Sequence, residues 1–63
     1  MDVDAADFVL DRMDVARMAV LEARQTVEKF SDPQDVDVMR ILDEILRQVE
    51  RVDAHVRSVS YPS

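Results

Sequence analysis

Two long stretches of this chain repeat apolar residues at spacings of three and four. In the first, Ala6, Val9, Met13, Ala16, Val20, Ala23, Val27 and Phe30 follow one another with no polar interruption. In the second, Val38, Leu42, Ile45, Val49, Val52, Val56 and Val59 do the same. Such spacing keeps an apolar stripe on one face of an α-helix, and over several turns it makes the seam of a coiled coil or bundle. The pattern predicts one helix over about 4–30 and a second over about 33–59, forming a single all-α domain across 1–63.

The break between the stripes is Ser31-Asp32-Pro33-Gln34-Asp35. A residue before proline is pushed out of the helical region, while proline suits the first position of a new helix. Asp32 is a strong N-cap, and Asp35 places a second carboxylate in the positive first turn. The first helix therefore ends near Phe30 and the next begins at Pro33, with a turn at 31–32. So short a connection forces an antiparallel helical hairpin. Asp2 or Asp4 is expected to cap the first helix. The second is expected to fray by Ser58–Ser60 and leave a tail over 60–63.

Both helices are apolar beyond the seam. Phe8, Val15 and Ala19 flank it on one side of the first helix, and Leu10 and Leu21 on the other. Met39, Ile41 and Leu46 widen the second helix near the turn. A helix apolar over so much of its circumference needs more than one neighbour. The small Ala6, Ala16 and Ala23 favour close helix approach. At 63 residues with no cysteine, one core also struggles to hold the chain alone, and no disulfide or cysteine-held metal can help. Two hairpins joined in a four-helix bundle meet these needs, so the seam residues are expected to serve as the oligomer interface too.

Charge alternates along the chain. Residues 1–14 and 31–44 carry net −4 each, and 15–30 and 45–63 net +1 each, for a total of −6. Each helix is acidic at its start and slightly basic at its end, as the macrodipole prefers, and antiparallel folding sets opposite signs side by side. Asp4, Asp7, Asp11 and Asp14 form an acidic stripe, expected to be a solvated face or a surface for a basic partner. A regular helix cannot wrap calcium, and an outer face provides no cleft for acid–base catalysis. Arg40, Arg47 and Arg51 form a basic stripe on the second helix, with local pairing of Arg40 to Glu44 and of Arg47 to Asp43 expected. Net −6 and a pI near 4.4 argue against nucleic acid and against anionic membranes.

Glycine is absent, which removes the usual phosphate cradle, oxyanion turn and flexible lid. His55 is the single histidine, expected near Phe8 as a packing or salt-bridging residue within reach of the acidic stripe. No nucleophile–base pair is visible, so neither catalysis, a cofactor, a metal nor a small-molecule substrate is expected. The longest apolar run, Met18–Leu21, is too short to span a bilayer, and the acidic start lacks secretory character, which points to the cytoplasm.

In plan the chain is similar to repressor of primer, a plasmid copy-number regulator whose hairpin dimerises into a four-helix bundle and binds paired RNA loops. That likeness is architectural and carries over no RNA-contacting position. The Ser31-Asp32-Pro33-Gln34 turn resembles the proline-containing turn of type III secretion needle subunits, which are helical hairpins too. The function expected is protein–protein interaction, as a small acidic regulator, adaptor or assembly or chaperone subunit that acts as a homodimer or with a helical partner protein. A nucleic-acid-binding regulator on the repressor-of-primer plan is the alternative.

Overall fold

The computed structural model describes residues 1–30, 32 and 35–61 of the 63. Helix α1 runs Val3–Phe30 and α2 runs Val36–Ser60. They lie antiparallel as an all-α hairpin, with Met1 N–H donating to the Val59 carbonyl at 3.4 Å and Arg24 reaching Asp43 at 3.4 Å.

The helix ends follow local rules. Asp2 caps α1: its Oδ2 accepts the Ala5 N–H at 3.2 Å and its carbonyl accepts the Ala6 N–H at 2.8 Å, satisfying donors that have no intrahelical partner. Asp4 in the first turn and Lys29 in the last complement the helix dipole. At the turn, Asp32 N–H donates to Asp35 Oδ2 at 3.1 Å, and Asp35 N–H donates to the Asp32 carbonyl at 2.9 Å. The described helix thus has Asp35, not the expected Asp32, in its N-cap position, and the Asp35 carboxylate turns back to Asp32 instead of capping its own helix. The expected start of α2 at Pro33, with Ser31 and Gln34, lies outside the described residues.

The far end of α2 departs from expectation. The helix continues through Ser60, which is buried. Tyr61 N–H donates to the Arg57 carbonyl at 3.0 Å, and the Tyr61 hydroxyl donates to the Asp7 carboxylate across the hairpin. A tail beginning at residue 60 is therefore incorrect, because small Ser60 fits against α1 and the phenol finds an acceptor there. Pro62 and Ser63 lie outside the described residues.

The buried core is small and sits toward the chain ends. Ala6 is fully buried, with Leu10 and Val56 around it and Val9 packed against them, while Val49 is buried further along. The turn end is open, and Phe30 is 81% exposed there. The molecule is a rod of 45 × 15 × 14 Å with a radius of gyration of 14.6 Å, well above the roughly 11 Å of a rounded domain this long. Its accessible surface of 4908 Å² also exceeds the roughly 4,200 Å² usual for a compact monomer of 7.3 kDa. No helix among the described residues is long and apolar enough to cross a membrane.

Leu10 fills the one well-packed region, so Leu10→Ala is expected to cost about 2–4 kcal/mol. Leu21→Ala, at an exposed position, should stay within about 0.5 kcal/mol. Urea unfolding of both variants at one fixed protein concentration measures the difference.

Candidate interaction surface

The line of contact between the helices is rolled away from the stripe read off the sequence. On α1 the buried or half-buried residues are Ala6, Val9, Leu10, Met13, Ala16, Arg17, Val20, Arg24 and Val27. On α2 they are Met39, Leu42, Asp43, Leu46, Val49, Asp53, Val56 and Ser60. Two arginines and two aspartates thus sit at or beside the contact line, where apolar periodicity gives no sign of them.

The roll redistributes the expected seam. Ala6, Val9, Met13, Ala16, Val20, Val27, Leu42, Val49 and Val56 stay at or near the contact, whereas Ala23, Phe30, Val38, Ile45, Val52 and Val59 are exposed. Of the residues expected on the second apolar face, Leu10 enters the core and Met39 and Leu46 turn half inward. Phe8, Val15, Ala19 and Ile41 remain exposed. Leu21 is exposed as well, in helical line with Arg17 and Arg24.

The physical reason lies in polar contacts on one side. Arg24 Nε stands 3.4 Å from Asp43 Oδ1 and 3.8 Å from Glu28 Oε1. Tyr61 holds Asp7. Arg57 Nε donates to Asp53 Oδ2 at 2.9 Å, which raises the Arg57 pKa above its ordinary value, with the Asp14 carboxylate of α1 also contributing. Arg24 to Asp43 and Tyr61 to Asp7 bridge the helices along a charged side, on which the Arg57–Asp53 pair within α2 also lies. Going round each helix, the exposed apolar residues lie the same way from the contact line. In antiparallel helices, equal rotations of this kind face the same side of the pair. Phe8, Val15, Ala19, Ala23 and Phe30 of α1 therefore share one side of the rod with Val38, Ile41, Ile45, Val52 and Val59 of α2.

This side is a shallow groove between two apolar rows. Met13, Ile41, Ile45, Val49 and Val52 line its middle together with the polar Glu44, Arg47 and Gln48. Thr26, Val27, Phe30, Asp35 and Val38 surround a gap at the turn end. Phe8 is covered at one edge, where the Arg12 guanidinium lies 5.0 Å from the ring centroid in a cation–π contact.

The charged stripes are surface features. All four residues of the acidic stripe are exposed. Asp14 pairs with Arg17 at 2.9 Å and Asp7 accepts from Tyr61. In the basic stripe, Arg40 pairs with Asp37 at 3.0 Å rather than with Glu44, and Asp43 serves Arg24 across the hairpin rather than Arg47. The first exchange is local, the three-residue step back to Asp37 being as short as the step to Glu44, while in the second the contact line draws Asp43 inward. Among the described residues His55 makes no salt bridge, and it is Tyr61 rather than His55 that reaches the stripe. No group of acidic or imidazole side chains fit to hold a metal occurs among the described residues.

Tyr61 is the only tyrosine, which makes its docking measurable. Its hydrogen bond to the Asp7 carboxylate, followed by desolvation, raises the phenol pKa above 10.0. A folded-state pKa above the unfolded one contributes stability in full below pH 10, and that stability is lost as the pH rises through the folded value. An absorbance titration of the phenol should therefore show a midpoint above that of free tyrosine, and Asp7→Asn should bring it back down.

No protein-family model, curated protein or solved structure matches this chain.

Proposed function

We propose that the chain is a non-enzymatic protein–protein interaction module: a small acidic helical hairpin that pairs with a second copy to build a four-helix bundle. As such it serves as a regulator, adaptor or assembly subunit, with its charged outer faces left for a further protein. One observation carries the reading. The contacts that bridge the helices gather on one side of the rod, whereas the other side leaves six of the fifteen expected seam residues in water.

Area supports a second copy as the occupant. A face of 45 by 15 Å presents roughly 700 Å² per hairpin, which puts a pair inside the roughly 1,200–2,000 Å² of stable protein interfaces. Chemistry supports it too. The face offers Val, Ile and Ala rows flanked by charges of both signs, which a second identical face matches row for row. Scattered exposed apolar residues are ordinary, whereas Phe8, Val15, Phe30, Val38, Ile41, Ile45, Val52 and Val59 gathered on one side support a docking surface, even with Arg12, Glu44 and Gln48 among them. In this reading the acidic stripe remains outside the bundle, available to a basic partner.

Sedimentation equilibrium over a wide concentration range, with helicity followed on the same samples, tests the pairing. The expected result is a fully helical dimer. Ile45→Asp buries a charge in the interface and should shift the protein to monomer with reduced helicity. A variant that kept the wild-type mass and helicity would show that this side is not the interface. Replacing Asp4, Asp7, Asp11 and Asp14 together by Ser should leave the dimer in place, since all four are exposed, and should remove binding of a basic partner.

A further inference from the structure

We infer that the two helices have a second seating, reached by rolling the apolar side inward, and that the Arg24–Asp43 and Tyr61–Asp7 contacts are a latch that holds this side open. The inference concerns the single hairpin and stands whether or not a second copy binds.

The present contact line carries polar atoms that gain nothing from it. Asp53 Oδ1 and Ser60 Oγ on α2 and Arg24 Nε on α1 are buried, and none finds a hydrogen-bond partner among the described residues. Arg24 Nε stands 3.4 Å from Asp43 Oδ1, near enough for charge attraction alone. A buried polar atom left unsatisfied carries the cost of its lost hydration. All three lie toward the charged side of the rod, and a roll that turns the apolar side inward returns them to water together.

The opposite edge of the line supplies their replacements. Val38, Ile45, Val52 and Val59 are between 41% and 46% exposed, so the contact already grazes them. Their line stands about 60° round α2 from Leu42, Val49 and Val56, the angle left over when three residues turn 100° each. A roll of somewhat less brings them inward while Leu42, Val49 and Val56 stay in contact. No sliding is needed. The register that sets Asp7 beside Tyr61 and Arg24 beside Asp43 also sets Ala16 level with Val52, Ala23 with Ile45 and Phe30 with Val38.

In return the roll gives up Leu10 from the core and the half-buried Met39 and Leu46. It also carries Asp7 away from Tyr61 and Asp43 away from Arg24. The seatings thus trade apolar residues for apolar residues, and three unsatisfied atoms stand against two bridges. Packed helices occupy discrete arrangements rather than a continuum. Two exposed contacts, weak singly, suffice to choose between arrangements so nearly matched. With the latch closed the apolar side is open to a partner. With it released, Ile45 and Val52 turn under α1 and the side closes.

Two cysteine pairs in the full chain, which has no cysteine of its own, report the seating. Ala6→Cys with Ser60→Cys joins positions buried in the present contact. Ala23→Cys with Ile45→Cys joins positions that face each other only after the roll. A disulfide needs Cα atoms within roughly 7 Å, so its rate of formation within one chain reads the population of each seating. The rate is followed at the lowest concentration that keeps the chain helical, with cross-linked copies separated by mass. Asp43→Asn with Tyr61→Phe should speed the Ala23–Ile45 bridge about three- to tenfold and slow the Ala6–Ser60 bridge. Asp53→Leu, which removes an unsatisfied oxygen from the present line, should slow the Ala23–Ile45 bridge instead. If Asp43→Asn with Tyr61→Phe slows both bridges together, or changes neither, the contacts select no seating and the inference falls. Sedimentation reads the pairing separately, so a wild-type monomer would sink the pairing and leave the two seatings standing.

Discussion

Two helices laid side by side share a single line of contact, and the rest of this molecule follows from how little that line can bury. Each residue on it needs a partner directly across, and a residue one step round the helix has none. Here the line holds one tightly packed cluster around Ala6, Leu10 and Val56, with Val9 against it. Most of the other large apolar side chains stay partly in water. The rod shape and the excess accessible surface are the same fact seen at the scale of the whole chain.

Because the line is so narrow, its position on each helix matters. Polar contacts set it. Arg24 to Asp43 and Tyr61 to Asp7 bridge the helices on one side, and drawing that side together rolls Ala23, Phe30, Val38, Ile45, Val52 and Val59 toward the other. Exposed ion pairs of this kind contribute little stability singly. Their effect here is to decide which of several nearly equivalent apolar faces turns inward, a choice in which small energies suffice. A charged side and a largely apolar side result.

Much of this was legible in the sequence. Unbroken three–four spacing over both arms made the two helices legible, and the acid at position 2 made the start of α1 legible, because each signal acts through local backbone geometry. The roll was not legible. The line Leu42, Val49, Val56 and the line Val38, Ile45, Val52, Val59 are equally apolar, so periodicity cannot rank them. The arbiters, Arg24 and Asp43, look like ordinary surface charges until the chain is folded. Leu10 was set beside the seam for the same reason, since a residue adjacent to Val9 joins the core only after the roll. Tyr61 had a detectable signal: an aromatic residue just past the end of α2 falls opposite the first turns of α1, where Asp4 and Asp7 offer acceptors.

The placement of the core also bears on how the chain acquires its shape. A hairpin that packed best at its turn would zip up from there, each new contact closing a short loop. This one packs best at the opposite end, where Met1 meets Val59 across 58 residues and Asp7 meets Tyr61 across 54. Closing so long a loop costs most of its entropy before any compensating burial, although the cost grows only slowly with length. Near the turn, Phe30 and Val38 have too little cover to hold a nascent hairpin. The hairpin is thus held from its open-chain end, and a second hairpin laid along the apolar side would lend the turn end the cover it lacks. In the proposed pair, acquiring the fold and acquiring the partner would become a single step, and protein concentration would govern both.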